Sequence, residues 1–180
     1  MSFHFRGFQS ETDVLKPFDC GTADMNGFLR EISSDTPNAT LYEKEHLGKT
    51  YIVEEDDTGV ILAYFCLLYD KIERAVANPV IWNQLSRKIP NAKRRSSYPS
   101  LKIGRLAVNK IAQSSGLGQA ILSFIKIWFF KDTKAGCRFL TVDAYLDSEG
   151  FYAKSKFQPL VIPEPEDETV LMFFDLKGIA

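Results

Sequence analysis

The sequence predicts a three-layer α+β fold, in which helices flank a mixed and mostly antiparallel central sheet. Two apolar strands at 50–53 and 60–68 are joined by a short turn of Asp, Thr and Gly, which is typical of an antiparallel hairpin. A strand at 101–108, an apolar helix at 116–131 and a strand at 138–142 follow in order, which indicates a right-handed parallel crossover. We therefore expect one sheet with both kinds of strand pairing.

The remaining elements are shorter. Before the hairpin, Thr22 is expected to cap a helix, and a second helix is expected at 38–46. After the crossover, the pattern predicts a short helix at 148–155 and two strands at 157–162 and 170–176. These elements would complete the sheet at one side and cover it with helices.

The helix at 116–131 is apolar enough to pack against a sheet. Ser123 and Lys126 interrupt its apolar run, which is too short to cross a membrane. Helical periodicity places six apolar side chains on its expected contact face, namely Leu117, Ala120, Ile121, Phe124, Ile125 and Trp128.

Composition favours one ordinary domain over 1–180. The chain has 180 residues, 45% hydrophobic residues and a net charge of −1, with 70–100 as an insertion that carries three prolines and one short helix near 81–85. The N-terminal segment has no apolar core or cleavage site, which predicts a cytoplasmic protein with no membrane partner. Three widely separated cysteines and two histidines predict neither a disulfide framework nor a metal site.

The loop at 113–118, with the sequence QSSGLG, is the most informative segment. A glycine-bearing loop at a helix N-terminus leaves backbone N–H groups free to bind phosphate or pyrophosphate. The Gly-Lys-Ser/Thr sequence of a P-loop is absent. A dinucleotide-binding loop would place Asp143 on a ribose, but Ile121 stands where that pattern needs a small residue, and the first glycine comes too late after the strand. A further alternative is that the glycines only allow the loop to turn and that the loop binds no ligand.

Three stretches of sequence together resemble one protein family. The first is 18–21 with 28–30, the second is 103–108 with 113–118, and the third is 142–144 with 151–157, which reads FYAKSKF. In this order they resemble the GCN5-related N-acetyltransferases, and specifically the bacterial branch related to toxin acetyltransferases. The resemblance covers nearly the whole chain, and only about 70–98 is poorly matched.

The resemblance implies a sheet that is splayed between its fourth and fifth strands and receives the pantetheine arm of acetyl-CoA in the splay. Main-chain groups of Leu106, Ala107 and Val108 are then expected to bind the pantetheine and the acetyl carbonyl. The side chain of Gln113 and the backbone amides of Ser114, Ser115, Gly116, Leu117, Gly118 and Gln119 are expected to hold the pyrophosphate.

By the same resemblance, Tyr152 is the catalytic residue. Acetyl transfer needs a neutral amine, a donor to the developing oxyanion and a proton for the departing thiolate. The Val108 amide is a candidate oxyanion donor, and the Tyr152 phenol, protonated at neutral pH, is the candidate acid. Lys156 stands where the family usually has glycine, so the turn before Phe157 is expected to need another geometry. The general base is left open among water, Glu43, Glu45, His46, Asp70, Glu73 and Asp143.

The sequence therefore predicts an acetyl-CoA-dependent N-acetyltransferase that moves an acetyl group to a primary amine by direct transfer. The acceptor is left open among a small molecule, a protein and aminoacyl-tRNA, and a CoA-binding sensor without turnover is a second alternative. The resemblance also raises a homodimer and an antitoxin protein as partners. The acidic turn at 164–168 opposes strong RNA binding, whereas phosphate contacts from a basic cluster would favour it: Arg87, Lys88, Lys93, Arg94 and Arg95.

Overall fold

The computed structural model describes residues 2–31, 38–90, 95–132 and 135–179. Its helices are α1 (Ala23–Arg30), α2 (Ala39–Lys44), α3 (Pro79–Arg87), α4 (Leu117–Asp132) and α5 (Glu149–Lys154). Its strands are β1 (Phe3–Gly7), β2 (Lys49–Glu55), β3 (Ile61–Glu73), β4 (Ser97–Val108), β5 (Phe139–Tyr145), β6 (Gln158–Pro159) and β7 (Thr169–Asp175). Short 3₁₀ helices lie at Asp13–Leu15, Lys110–Ala112, Leu146–Ser148 and Leu176–Ile179.

The seven strands follow the order β1-β2-β3-β4-β5-β7-β6. The pairs β1–β2, β2–β3, β5–β7 and β6–β7 are antiparallel, and β4–β5 is parallel. The predicted mixed, mostly antiparallel sheet of an α+β fold is confirmed. Contacts divide the chain into two compact units, Met1–Leu68 with Ile103–Ile121 and Tyr69–Lys102 with Leu122–Ala180, so that β3, β4 and α4 contribute residues to both.

The first unit is built on the β2–β3 hairpin. Thr22 is the N-cap residue of α1, as predicted, although its side chain makes no capping hydrogen bond. The Tyr64 hydroxyl donates to the Met25 carbonyl at 2.6 Å and attaches α1 to β3. A buried cluster fills the space between them, and its members are Phe18, Phe28, Leu29, Ala39, Ile52, Ile61, Tyr64, Cys66 and Ala107.

The second unit contains α3, α5 and the strands β5, β6 and β7. Asn78 caps α3 by accepting from the Val80 N–H at 3.0 Å, and Pro79 supplies a helical φ in the first turn. Its core consists of aromatic and aliphatic side chains from α3 and the strands, namely Ile72, Ala77, Trp82, Leu85, Tyr98, Phe139, Leu160 and Phe173.

The parallel pairing between β4 and β5 is short. It covers three residue pairs and ends where Lys102 lies opposite Thr141. On its other side, β5 pairs with β7 along its full length, from Phe139 to Tyr145. The shortened pairing lies at the two strands between which the sheet was expected to be splayed.

The strands differ from the prediction in several places. β3 continues to Glu73 and β4 begins at Ser97, so the ends of the predicted insertion at 70–100 are strand. The five-residue β1 was not predicted, because its sequence FHFRG shows only weak alternation. The strand predicted at 157–162 is only Gln158–Pro159: proline cannot donate to the ladder, and the Leu160 carbonyl accepts from the Asn78 N–H at 2.8 Å instead.

The predicted face of α4 is wrong at one edge. Ala120 is exposed, and Phe124 and Trp128 are only half-buried. The buried positions are Leu117, Gly118, Ile121, Leu122, Ile125 and Lys126. The buried stripe is therefore rotated towards a lysine that the apolar pattern treated as an interruption.

All three cysteines are unpaired thiols, of which Cys66 is buried and Cys20 and Cys137 are half-buried. Within the described ranges, His, Cys, Asp and Glu side chains form no group of three that could hold a metal ion. No helix in the described part of the chain has both the length and the apolar character needed to cross a bilayer.

Candidate active site

The segment between β4 and α4 begins with a residue that anchors it to the first unit. Asn109 donates from its side chain to the Ile61 carbonyl at 3.0 Å, and its N–H donates to the Leu62 carbonyl at 2.8 Å. Its side-chain oxygen also accepts from the Ile111 N–H and starts the 3₁₀ helix Lys110–Ala112. Asn109 thereby fixes the point at which the chain leaves β4.

The loop at 113–118 turns through two residues with positive φ. Ser114 has a φ of 61° and Gly116 a φ of 86°. The Ser115 hydroxyl donates to the Ala112 carbonyl at 2.6 Å and accepts from the Leu117 N–H at 3.4 Å, and the Leu117 side chain is buried. These bonds hold the loop at the N-terminus of α4.

Several amides of this loop have no acceptor among the residues that the structure describes. Among the described residues, no hydrogen bond is made by the N–H groups of Ser114, Ser115, Gly116 and Gly118. A Cβ at Gly116 would meet nothing within 4 Å, so the space beside this backbone is open. Unpaired amides at the positive end of a 16-residue helix are the chemistry that binds a pyrophosphate. These residues therefore fit the predicted nucleotide end of acetyl-CoA.

The Gln113 side chain makes two hydrogen bonds within the protein. Its side-chain Nε2 donates to the carbonyl oxygens of Cys20 and Val108, both at 2.9 Å. A primary amide has two N–H donors, and both are used. The Gln113 side chain therefore holds the loop against β4 and against the segment before α1, and its contact with pyrophosphate remains a prediction.

The motif at 18–21 lies directly against this loop. The Lys110 ammonium pairs with the Asp19 carboxylate at 2.7 Å, and the Lys110 N–H donates to the Asp19 carbonyl at 2.8 Å. Hydrogen bonds from Lys110, then Asn26 and Gly21, lower the pKa of Asp19 to about 2. The segment at 18–21 thus supports the segment after β4, through contacts between residues that are 91 and 93 positions apart in the sequence.

Residues at the end of β4 alternate between buried and half-buried positions. Ala107 is buried in the core of the first unit, whereas Leu106 and Val108 are half-buried. Successive strand residues point to opposite faces, so Leu106 and Val108 share the face away from Ala107. Their predicted contacts with pantetheine remain predictions, and so does the predicted contact of the half-buried Gln119 with the pyrophosphate.

Tyr152 lies in α5 and is fixed by the way this helix ends. The Phe157 N–H donates to the Tyr152 carbonyl at 3.2 Å, and the Lys156 N–H donates to the Ala153 carbonyl at 2.8 Å. This pair of bonds is a Schellman motif, which requires a left-handed residue after the helix. Lys156 supplies it with a φ of 63°. The expectation that lysine would force another turn geometry is wrong, because Lys156 adopts the conformation that glycine favours.

The Tyr152 ring is enclosed by aromatic neighbours. Its centroid lies 5.0 Å from Phe151 and 5.7 Å from Phe157, in both cases edge to face. Burial raises the pKa of Tyr152 to about 12. Among the described residues, none forms a hydrogen bond with its phenol oxygen. Tyr152 is therefore held by its backbone and its ring, and its raised pKa favours the protonated phenol at neutral pH.

Lys126 is a buried charged side chain that sequence reasoning missed. It lies in α4 with 8% of its surface exposed, and its ammonium donates to the Ser155 carbonyl. It also lies over the rings of Phe174 at 3.9 Å and Phe157 at 5.0 Å. The signal available in the sequence was a single charge in an otherwise apolar helical run.

A second polar cluster of the second unit lies where the β4–β5 pairing ends. The Lys102 ammonium is 2.5 Å from Asp143 and 4.0 Å from Asp70, and Thr141 donates to Asp70 at 3.4 Å. Two of the six candidate bases, Asp70 and Asp143, thus lie next to the Lys102 ammonium.

The other four candidate bases also have local explanations. Glu43 accepts from the Thr50 N–H at 2.9 Å, and Glu73 pairs with Lys71 at 2.8 Å. Glu45 and His46 are exposed in the turn after α2. The geometry selects none of them as the base. In the basic cluster, Arg87, Lys88 and Arg95 are exposed, whereas Lys93 and Arg94 lie outside the described residues.

Comparison with known proteins finds solved structures with a similar fold. No family model matches the sequence. AtaT complexed with acetyl-methionyl-tRNAfMet is 26% identical, with 99% of this chain and 97% of that chain covered and a TM-score of 0.76. A tyrosine-to-phenylalanine variant of KacT is 24% identical, with coverage of 99% and 98% and a TM-score of 0.77. A tyrosine-to-phenylalanine variant of the AtaT toxin, bound to the C-terminus of the antitoxin AtaR and acetyl-CoA, is 23% identical, with coverage of 98% and 95% and a TM-score of 0.73.

The fold is the mixed sheet with flanking helices that the sequence predicted from its resemblance to the GCN5-related N-acetyltransferases, and the structural neighbours support an N-acetyltransferase. Within that class, the chain is similar over nearly its whole length to the toxins AtaT and KacT. The predicted resemblance to the toxin-type branch is confirmed.

Proposed function

We propose that this chain is an acetyl-CoA-dependent toxin-type N-acetyltransferase whose acceptor is the amino group of an aminoacyl-tRNA. The observation that carries the proposal is a buried Tyr152, in a chain of this fold, whose phenol has no hydrogen-bond partner among the described residues. The similarity to AtaT in complex with acetyl-methionyl-tRNAfMet supports the choice of acceptor.

Acetyl-CoA supplies the acetyl group as a thioester. The N–H groups of Ser114, Ser115, Gly116 and Gly118 would bind its pyrophosphate, because they are unpaired at the N-terminus of α4. Gln113 holds that loop in place through its two carbonyl contacts. We propose that the half-buried backbone of Leu106 and Val108 contacts the pantetheine arm, and that the Val108 amide binds the acetyl oxygen.

Tyr152 would act as the general acid. The acceptor nitrogen forms a bond to the acetyl carbon while the carbon–sulfur bond breaks, and the phenol proton passes to the departing sulfur. The proton lost by the amine passes to solvent water, which also reprotonates the phenol. A phenol with a pKa of about 12 stays protonated at neutral pH, so Tyr152 still carries its proton when the sulfur leaves.

The proposed antitoxin partner follows from the comparison with AtaT, and the proposed homodimer follows from the predicted family resemblance. A variant of AtaT binds the C-terminus of the antitoxin AtaR, and we propose that this chain is likewise inhibited by an antitoxin protein and functions as a homodimer. We also propose that it acts in the cytoplasm, where charged tRNA is found. The exposed Arg87, Lys88 and Arg95 are available for phosphate contacts.

The test follows labelled acetyl from acetyl-CoA into purified aminoacyl-tRNA, with small amines and peptide N-termini offered in parallel. Incorporation into aminoacyl-tRNA, and little into the other amines, is the expected result. Incorporation only into a small amine or a peptide would overturn the acceptor. Tight CoA binding with no thiol released for any acceptor would favour a sensor without turnover and overturn the proposal.

A further inference from the structure

Lys126 is a buried cation without an acidic partner. Its side chain is 8% exposed, and no described carboxylate contacts its ammonium. Burying an ammonium is unfavourable unless other groups compensate for the lost water. Here the compensation comes from one carbonyl oxygen, that of Ser155, and from the rings of Phe157 and Phe174.

Packing alone does not account for a lysine at this position. A methionine would fill the same apolar space between the rings without the cost of desolvating a charge. Unlike a methionine side chain, the ammonium donates a hydrogen bond to the Ser155 carbonyl. Ser155 is the C-cap residue of α5, where helix carbonyls lack intrahelical donors and a positive charge is favourable.

Both residues of this turn that Lys126 contacts also hold the backbone of Tyr152. The N–H groups of Ser155 and Phe157 donate to the Tyr152 carbonyl at 3.0 and 3.2 Å. The Phe157 ring packs edge to face on the Tyr152 ring at 5.7 Å. A continuous set of contacts therefore joins the ammonium to the tyrosine through one turn of chain.

We propose that Lys126 is a positioning residue for Tyr152, whose ammonium holds the Ser155 carbonyl and the Phe157 ring and so fixes the place of the phenol. The structural part of this inference concerns the tyrosine alone. Its consequence for catalysis depends on the proposed function, in which Tyr152 donates the proton.

The arrangement is sensitive to pH near neutrality. Burial, with a smaller contribution from the charge of Lys156, lowers the pKa of Lys126 to about 8. The phenol of Tyr152 titrates far above this range, and Asp175, next to Phe174 on β7, is bound to Arg138. Loss of the Lys126 proton removes the cation from the rings and weakens the bond to Ser155. The position of Tyr152 is therefore expected to change as the pH rises through about 8.

The experiment compares wild type, Lys126→Met and Lys126→Arg by NMR with ¹³C-labelled tyrosine rings. Tyr152→Phe identifies the Tyr152 signal. We expect that signal to move with a midpoint near pH 8 in wild type and to stay constant from pH 7 to 9 in Lys126→Arg, because the guanidinium keeps its proton. A wild-type signal without that transition, or the same transition in Lys126→Arg, would overturn the proposal. The titrations of wild type and Lys126→Arg need no turnover, so their outcome does not depend on whether the proposed function is correct.

Kinetics give the second arm. Lys126→Met is expected to lower kcat by about tenfold or more, since a small misplacement of a catalytic group has effects of this size, while the KM for acetyl-CoA changes little. Lys126→Arg should recover most of the loss at pH 7. A Lys126→Met protein with wild-type kcat and an unmoved Tyr152 signal would contradict a positioning role. If Lys126→Met does not fold, the wild-type and Lys126→Arg titrations decide the question.

Discussion

Phe157 holds Tyr152 twice, through a hydrogen bond from its N–H to the Tyr152 carbonyl and through an edge-to-face ring contact at 5.7 Å. This is the C″-to-C3 contact of a Schellman motif. The catalytic candidate is therefore positioned by the end of its own helix. The left-handed Lys156 between the two residues makes this ending possible.

Lys156→Gly is expected to stabilise the protein. A left-handed lysine costs about 1–2 kcal/mol, part of which is offset because glycine loses more entropy on folding, so we expect a net gain of up to ~1 kcal/mol. Chemical unfolding measures it. The matched control is Lys154→Gly, two residues earlier in helical conformation, which should destabilise the protein by about 0.5–1 kcal/mol. Equal effects of the two substitutions would show that the left-handed conformation is not the cause.

Gly118→Glu is expected to abolish acetyl-CoA binding. The substitution places a bulky anion beside the unpaired amides of the loop, where the pyrophosphate is proposed to bind. Calorimetric titration with acetyl-CoA measures the effect, and thermal unfolding shows whether the variant is folded. Gly136→Glu, at an exposed glycine with open space around it, serves as the control. Unaltered affinity in a folded Gly118→Glu protein would refute the assignment of the loop.

Gln113→Glu tests whether the Gln113 side chain holds the loop through its bonds to the Cys20 and Val108 carbonyls. The substitution keeps the shape of the side chain but removes both donors and brings a carboxylate against two carbonyl oxygens. We expect a loss of stability of about 1–3 kcal/mol and weaker acetyl-CoA binding, because the loop is released from β4. Gln113→Ala should be milder, since it removes the donors without adding a charge. Wild-type stability in Gln113→Glu would argue against the bracing role.

Arg6→Ala is expected to be among the most destabilising surface-proximal substitutions in the first unit. Arg6 makes two hydrogen bonds of 2.7 Å to Asp13, which is fully buried, and also pairs with Glu54. Removing the guanidinium leaves a buried carboxylate without its counter-charge, at a cost of about 3–5 kcal/mol. Arg74→Ala, at an exposed position, should change the free energy of unfolding by less than about 0.5 kcal/mol. Similar values for the two variants would refute this account of Asp13.

Local sequence patterns were sufficient for much of the fold. The β2–β3 hairpin and the β4–α4–β5 crossover were predicted because their periodicity and turn residues are contained in short segments. The loop at 113–118 was found for the same reason. What escaped prediction depends on partners that are distant in sequence. Gln113 bonds to Cys20 across 93 positions, and the cation at Lys126 meets its carbonyl 29 positions away.

The turn at Lys156 shows a different limit. The residue type argued against a glycine-like turn, but the contact of Phe157 with Tyr152 and the two hydrogen bonds of the cap stabilise the conformation in spite of the cost at lysine. Residue preferences considered one position at a time do not include the contacts that offset the cost of a left-handed lysine. Tertiary contacts decided the geometry here.

The central claim is that the phenol of Tyr152 donates the proton to the departing sulfur, and a single comparison tests it most directly. The measurement is the rate of thiol release from acetyl-CoA with aminoacyl-tRNA as acceptor, in wild type and in Tyr152→Phe, with Tyr69→Phe, 76% exposed, as the matched control. We expect Tyr152→Phe to lose about 10²–10⁴-fold in kcat while it still binds acetyl-CoA, and Tyr69→Phe to behave as wild type. Full turnover in Tyr152→Phe would contradict the account.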